Sequence, residues 1–151
     1  MQLEIRLFHP SDQESVRELV LAGLADHWEI IDPGLNPDLT DIAAAYAGEI
    51  FLVACMDGRI AGCGALVRKD NITGEIVRVS VDRGLRGRGI GRQIVSALTG
   101  EARRSGMRRL VLETTAGWQY VRSFYEALGF TYTHFQGDEF GGQAHYELRV
   151  S

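Results

Sequence analysis

Residues 75–94, with the sequence EIVRVSVDRGLRGRGIGRQI, constrain the fold most strongly, because a β-type apolar run leads into a glycine-rich loop that opens onto a helical pattern. Glycines stand at positions 87, 89 and 91, where they remove the Cβ atoms that would keep an anion away from the backbone. A helix that follows such a loop presents unpaired N–H groups and the positive end of its dipole. This order of strand, loop and helix predicts a cradle for a pyrophosphate group.

Two common phosphate-binding motifs do not fit this loop. A Walker A loop would end in Gly-Lys-Ser/Thr, and a dinucleotide fingerprint would need a third small residue at position 92, where this chain has Arg. The loop instead contains Arg86-x-x-Gly89-x-Gly91, which resembles the Q/R-x-x-G-x-G/A motif of the GNAT superfamily of acyl-CoA-dependent N-acyltransferases. The resemblance implies that acetyl-CoA is a cosubstrate. It also implies that its diphosphate is bound by Arg86, Gly87, Arg88, Gly89, Ile90, Gly91 and Arg92.

A second motif follows at residues 123–130, where SFYEALGF resembles the Y-x-x-x-G-F segment of the same family. Tyr125 stands where the family carries its general acid, so the resemblance implies that it protonates the leaving thiolate of coenzyme A. For the neighbouring apolar residues Phe124, Leu128 and Phe130, helix-to-sheet packing is the better interpretation, because such residues commonly pack the end of a helix.

Acyl transfer to an amine also requires a base, because an aliphatic ammonium has a pKa of about 10. Glu75 resembles the base of the histone-acetylating branch, and Glu113 resembles the base proposed for the branch that acetylates protein N-termini. Either carboxylate could instead be a solvated strand end, so the choice between them stays open. Trp118 stands where many family members place an Asn that binds the pantetheine arm, which weakens an assignment to the N-terminal-acetylating branch.

The carbonyl of the thioester must be polarised as well. In the family, main-chain groups of the strand before the glycine loop perform this role, which carries over to Val79, Ser80 and Val81. Cys55 and Cys63 lie in apolar runs without electropositive surroundings, so we expect direct attack in a ternary complex and no acyl-enzyme. The cysteines read as small core residues, and no metal is expected.

Composition limits the classes of function. The length of 151 residues predicts one domain over 1–151, and the resemblance implies that this is an N-acetyltransferase (GNAT) domain. Sixteen Lys and Arg against 20 Asp and Glu give a net charge of −4, which argues against nucleic acid as the main partner. The absence of a signal peptide, a long apolar segment and a cysteine framework predicts a cytoplasmic protein with no membrane partner.

The periodicity of the chain predicts the element order βααβββαβαββ and an α+β architecture with a mixed sheet. Strands are expected at 2–8, Ile50–Met56, Arg59–Arg68, 75–81, 109–113, 130–135 and 143–150, with Asp57-Gly58 as a hairpin turn that places Cys55 opposite Ile60. Helices are expected from a cap at Ser11 or Asp12 to Ala25, and over 39–47, 89–104 and 118–128. The resemblance implies the GNAT fold, a central, mostly antiparallel seven-stranded sheet flanked by about four helices, with its fourth and fifth strands splayed apart.

The amine acceptor is expected between two loops, at residues 27–37 and 136–142, because the family builds its acceptor site there. These loops and their flanks carry Asp26, Glu29, Asp32, Asp38, Asp138 and Glu139, with Trp28 and Phe140 as walls. Such a site would suit a cationic amine on a small molecule or a peptide, although polar surface loops are common without function. The alternative function is a non-catalytic acyl-CoA-binding or sensor domain. The resemblance also allows a homodimer in which the closing strand pairs across a two-fold axis.

Overall fold

The structure is a computed structural model and describes residues 2–25, 36–138 and 141–150. The strands are β1 (Leu3–Leu7), β2 (Ile50–Met56), β3 (Arg59–Arg68), β4 (Thr73–Val81), β5 (Arg109–Thr115), β6 (Thr131–Gln136) and β7 (Gln143–Arg149). The helices are α1 (Gln13–Ala25), α2 (Ile42–Ala45), α3 (Ile90–Arg104) and α4 (Gln119–Ala127), with 3-10 turns at Pro10–Asp12, Pro37–Leu39 and Arg83–Leu85.

The strands form one seven-stranded sheet in the order β1-β2-β3-β4-β5-β7-β6. Every neighbouring pair is antiparallel except β4 and β5, which are parallel. The β4–β5 pairing covers only Thr73 to Glu75 against Arg109 to Val111, and beyond Glu75 the two strands separate. This confirms the expected mixed sheet with a splay between its fourth and fifth strands.

The hairpin of β2 and β3 follows directly from the local sequence. Asp57 and Gly58 both have positive φ, 53° and 79°, as a two-residue type I′ turn requires. This turn sets a register in which Cys55 pairs with Ile60, as predicted, so the two cysteines do not face each other.

Apolar side chains pack on both faces of the sheet. On one face α3 and α4 cover a core that contains Ile94, Leu98, Leu110 and Leu112. On the other face α1 and α2 cover a smaller core around Val16, Ile42 and Val53. Glycine lets α3 approach β3 closely, because a Cβ added at Gly64 would lie 2.7 Å from Ile94 Cγ2.

The helices differ from the expectations at their N-terminal ends. The helix predicted over residues 39–47 is only Ile42–Ala45, because Pro37–Leu39 forms a separate 3-10 turn. Asp12 caps the turn before α1 and not the helix itself, since its carboxylate accepts the His9 N–H at 2.9 Å. The long loop expected at residues 27–37 lies outside the described residues except for Asn36 and Pro37. No helix in the described ranges is both long enough and apolar enough to cross a membrane.

Candidate active site

The glycine-rich loop between β4 and α3 has the conformation that an anion cradle needs. Asp82 begins it by accepting the Gly84 N–H at 2.9 Å, and Gly87 and Gly89 then adopt positive φ values of 80° and 81°. Apart from the adjoining residues, no atom of the described part of the chain lies within 4 Å of a Cβ built at Gly87 or Gly89, so both backbones border open space. Gly89 precedes α3 without a side-chain cap, which leaves the first N–H groups of the helix available. The loop therefore fits a diphosphate.

The side chains around this loop divide into two sets. Arg86, Arg88 and Arg92 are exposed and lie beside the loop. Ile90 is 2% exposed and packs in the core, so only its backbone could contact a cofactor. A Cβ at Gly91 would lie 3.2 Å from Phe124 Cζ. Packing therefore explains this glycine as well, because the missing side chain lets α3 approach α4. The cofactor role of these residues stays a prediction.

The splay leaves one edge of β4 without a strand partner. Ser80 pairs with Cys63 and Val81 pairs with Gly62 on the β3 side, but on the β5 side the described pairing stops at Glu75. Backbone groups on that edge need other partners. Val79 and Val81 turn their side chains to the core under α3, so these residues offer main-chain atoms to the splay. This matches the backbone role expected from the family resemblance, which remains a prediction.

Glu75 and Glu113 come together in one cleft on the α2 side of the sheet. The cleft has a volume of ≈ 380 Å³ and is lined by Asp38, Tyr46, Val67, Glu75, Ile76, Val77, Arg78, Glu113 and Gln143. Glu75 Oε1 lies 3.6 Å from Lys69 Nζ, and the Glu75 side chain is 23% exposed. The Glu113 side chain is 48% exposed. Both predicted bases are therefore open to a water molecule or an acceptor amine.

Glu113 has a histidine beside it that the sequence interpretation missed. His145 is the cross-strand partner of Glu113, with its Nε2 3.4 Å from Glu113 Oε2. This Nε2 atom is buried and makes no hydrogen bond to the described part of the chain. The His145 ring stacks on His134 of β6, with ring centroids 4.2 Å apart and planes within 9°. A histidine in the closing strand gave no signal by itself, because strand neighbours across a sheet are not visible in sequence.

Tyr125 lies on the opposite face of the sheet from the two carboxylates. It is 7% exposed and packs in the α3 and α4 core, where it contacts Phe124 and Phe130 edge to face. Burial raises the pKa of Tyr125 well above its usual value, so the phenol keeps its proton at neutral pH. The phenol therefore carries a proton that it could donate, although a raised pKa also makes it a weaker acid, and the role of Tyr125 as general acid stays a prediction. The packing predicted for Phe124, Leu128 and Phe130 is confirmed.

A charged cluster in the same cleft was also missed. Arg78 donates from Nε and Nη2 to the Asp38 carboxylate at 2.9 and 2.7 Å, and Tyr46 donates its hydroxyl to Asp38 at 2.7 Å. Burial acts to raise the pKa of Asp38, but the hydrogen bonds from Arg78 and Tyr46 outweigh it and lower the pKa overall. A cation inside the apolar run of β4 was the available signal, because a buried charge requires a partner.

The other predicted acceptor residues divide by location. Asp26, Trp28, Glu29, Asp32, Glu139 and Phe140 lie outside the described residues. Asp138 holds the turn between β6 and β7, where its carboxylate accepts from Gly142 N and Gln143 Nε2 at 2.9 and 3.0 Å. Both cysteines are free, and burial raises the pKa of Cys63 to about 12, so its thiol is not a nucleophile at neutral pH.

Comparison with known proteins agrees with this geometry. A family model described as Acetyltransferase (GNAT) family matches residues 14–130. An N-acetylaspartate synthetase of Danio rerio is 36% identical over 104 residues, which are 66% of this chain and 37% of that protein. The N-acetylaspartate synthetase of Rattus norvegicus is 31% identical over 122 residues, or 78% of this chain and 38% of that protein. The chain thus spans well under half the length of these relatives.

Solved structures share the fold. An acetyltransferase of the GNAT family from Staphylococcus aureus superposes with a TM-score of 0.88 at 22% identity and covers 99% of this chain and 100% of its own. A PaiA N-acetyltransferase from Thermoplasma acidophilum in complex with coenzyme A has a TM-score of 0.82 at 16% identity, covering 99% and 100% of the two chains. The resemblance found in the sequence is confirmed, and the chain belongs to the GNAT family of acetyl-CoA-dependent N-acyltransferases.

Proposed function

We propose that this chain transfers the acetyl group of acetyl-CoA to a primary amine by direct attack in a ternary complex. The observation that carries the proposal is the position of Glu75 and Glu113, which line one cleft where β4 and β5 separate. The chain between these two strands forms the open glycine loop and α3, whose N-terminus has no side-chain cap. A domain that only binds acyl-CoA would need the glycine loop but not two carboxylates in a cleft.

The cofactor site is the part of the proposal that the loop geometry supports. The main chain of residues 87–92 would hold the diphosphate, with the exposed guanidinium groups of Arg88 and Arg92 beside it. The free edge of β4 from Val79 to Val81 would hold the pantetheine arm and the thioester carbonyl through backbone groups. Acetyl-CoA supplies the activated acetyl group as a thioester, and no metal is needed for that chemistry.

Side chains on the two faces of the sheet, beside the place where β4 and β5 separate, would carry out proton transfer. Glu75 or Glu113 takes the proton of the acceptor ammonium, directly or through one water molecule, because each is partly exposed in the cleft. Tyr125 would hold its proton toward the leaving sulfur from the α4 side. The buried thiol of Cys63, with its raised pKa, is poorly suited to carry the acetyl group, which supports direct attack.

The acceptor is a primary amine of a small molecule or a peptide. Two of the matching relatives are called N-acetylaspartate synthetase, which makes an amino acid one candidate acceptor. We further propose that residues 1–151 act as one domain in a reducing cytoplasm, a setting that suits two cysteines that do not face each other. A homodimer and the absence of a nucleic-acid or membrane partner remain predictions of the sequence.

The test is acetyl-CoA consumption, followed as free thiol, against pooled primary amines, amino acids and peptides, beside a thermal-shift titration with acetyl-CoA. Thiol release that depends on one pool supports the proposal. Stabilisation by acetyl-CoA without release in any pool favours the binding or sensor function. The absence of both stabilisation and thiol release would contradict the cofactor site itself.

A further inference from the structure

Arg78 is the only cation among the described residues that line the cleft of Glu75 and Glu113. It sits at a β-bulge of β4, where the pairing with β3 shifts between Cys63 and Ala65, and its φ is 57°. A left-handed backbone is costly for a residue with a side chain, and such residues concentrate at functional sites. The consequence of the bulge is that a guanidinium group points into the cleft from a central strand.

The donors of Arg78 are only partly used. Nε and Nη2 bind the Asp38 carboxylate, and Nη2 also donates to Asn36 Oδ1 at 3.0 Å. In the part of the chain that the structure describes, the hydrogen bonds of Arg78 to Asp38 and Asn36 come from Nε and Nη2, and Nη1 takes part in neither. The Arg78 side chain is 20% exposed. Asp38 and Asn36 hold its Nε and Nη2 groups in place, while the Nη1 group can still bind an anion.

The charges in the cleft fit a molecule that carries both a positively and a negatively charged group. Asp38 offsets Arg78 through their ion pair. Glu75 and Glu113 have Lys69 and His145 as neighbours at 3.6 and 3.4 Å, but both carboxylates are partly exposed and can face a cationic group in the cleft. Glu75 and Arg78 are three residues apart on β4, a span of roughly 10 Å between Cα atoms. Both residues line the same cleft, so a molecule that carries an ammonium and a carboxylate could contact the two side chains.

We propose that the acceptor is an amino acid or a similar amine that carries a carboxylate, and that Nη1 of Arg78 binds this carboxylate. The inference rests on the proposed acetyl transfer and names the substrate class of the same site. The acceptor ammonium lies toward Glu75 and Glu113, and its carboxylate lies toward Arg78. Arg78 is then a specificity-determining residue. An amine without a carboxylate leaves the Nη1 donors unpaired, which costs binding energy.

A purely structural role makes a different prediction. The ion pair with Asp38 also ties Asn36–Leu39 to β4, so loss of Arg78 could loosen the cleft for every acceptor alike. Asp38→Asn weakens the same ion pair but keeps the guanidinium. The two roles therefore separate in the ratio of kcat/KM for an amino acid to kcat/KM for its decarboxylated amine. A structural role leaves this ratio unchanged in both variants.

The experiment measures thiol release for pairs of amino acids and their decarboxylated amines with the wild-type chain, Arg78→Gln, Arg78→Lys and Asp38→Asn. Arg104→Gln, on an arginine whose side chain is 67% exposed at the end of α3, is the matched control. We expect the ratio to favour amino acids in the wild type and to fall roughly ten- to hundredfold in Arg78→Gln. The ratio for Arg78→Lys should lie between those of the wild type and Arg78→Gln. Asp38→Asn and Arg104→Gln should keep the wild-type preference for amino acids.

Several outcomes would overturn the inference. Wild-type turnover of decarboxylated amines only, or an unchanged ratio in a folded Arg78→Gln, excludes carboxylate binding while acetyl transfer stands. If Asp38→Asn lowers the kcat/KM ratio as much as Arg78→Gln does, the preference for amino acids depends on the ion pair and not on a carboxylate bound by Nη1. Thiol release with none of the amines, although acetyl-CoA stabilises the chain, contradicts the proposed function itself. If Arg78→Gln does not fold, the Arg78→Lys and Asp38→Asn ratios decide.

Discussion

Glu113 and His145 face each other across β5 and β7, with Glu113 Oε2 3.4 Å from a buried Nε2 of His145 that has no hydrogen bond to any described residue. A carboxylate that must accept a proton gains from a neighbour that can share it. Glu75, in the same cleft, instead lies 3.6 Å from Lys69 Nζ, and its side chain is 23% exposed against 48% for Glu113. We therefore predict that Glu113 is the base that an acceptor amine reaches more readily.

The first prediction follows from that contrast. Glu113→Gln should reduce kcat/KM for the amine by about a hundredfold or more, and His145→Gln by about tenfold, because general base catalysis contributes on this scale. Glu75→Gln should have a smaller effect. The measurement is thiol release at neutral pH, and His134→Gln serves as the control because His134 stacks on the far side of His145. A loss in Glu75→Gln with none in Glu113→Gln and His145→Gln would reverse the assignment.

The second prediction concerns the proton donor. Tyr125→Phe should lower kcat by on the order of a hundredfold while leaving the affinity for acetyl-CoA nearly unchanged, because only the hydroxyl is removed. Tyr120→Phe on the same helix is the matched control, since Tyr120 is 73% exposed. Full activity of Tyr125→Phe would show that another group protonates the leaving thiolate.

The third prediction separates backbone strain from cofactor binding in the glycine loop. Gly89 and Gly48 have nearly equal φ values, 81° and 80°, and open space at their Cβ positions. Alanine at either site should destabilise the fold by about 1 kcal/mol, measured by denaturant unfolding, because both require a left-handed backbone. Only Gly89→Ala should weaken acetyl-CoA binding, by about tenfold in a thermal-shift or calorimetric titration. Equal acetyl-CoA affinities in the two variants would argue against the cradle.

The fourth prediction concerns stability against pH. Hydrogen bonds from Arg6, at 2.8 and 3.1 Å, lower the pKa of the buried Asp12. The ion pair therefore stabilises the fold fully above the unfolded-state pKa of about 4, and this stabilisation is lost as the pH falls through the lower folded-state pKa. Asp12→Asn should reduce the free energy of unfolding by about 1–3 kcal/mol at pH 7 and by less in acid. A difference between the two proteins that stays constant from pH 7 to pH 3 would be inconsistent with this ion pair.

Local signals in the sequence were sufficient for most of the fold. Alternation around Asp57-Gly58 predicted β2 and β3 with their bounds as observed, and the glycines before Ile90 predicted the start of α3. In each case a few adjacent residues determine the backbone conformation, so no knowledge of distant contacts is required.

The cleft depended on relations that local patterns do not contain. Asp38 and Arg78 meet across 40 residues of chain, and only the bulge in β4 turns the arginine toward the aspartate. His145 reaches Glu113 because β7 inserts between β5 and β6, an order that the succession of strands does not reveal. The sequence pointed to both carboxylates as candidate bases, and that role stays a prediction, but it could not supply their neighbours.

The most direct measurement compares amine-dependent thiol release from acetyl-CoA by the wild-type chain and by the double variant Glu75→Gln/Glu113→Gln. A Glu101→Gln variant on α3 serves as the control. We predict release by the wild type and the control, and release near background for the double variant, which should still be stabilised by acetyl-CoA in a thermal shift. Equal amine-dependent release by the double variant and the wild type would contradict the assignment of this cleft as the site of acetyl transfer.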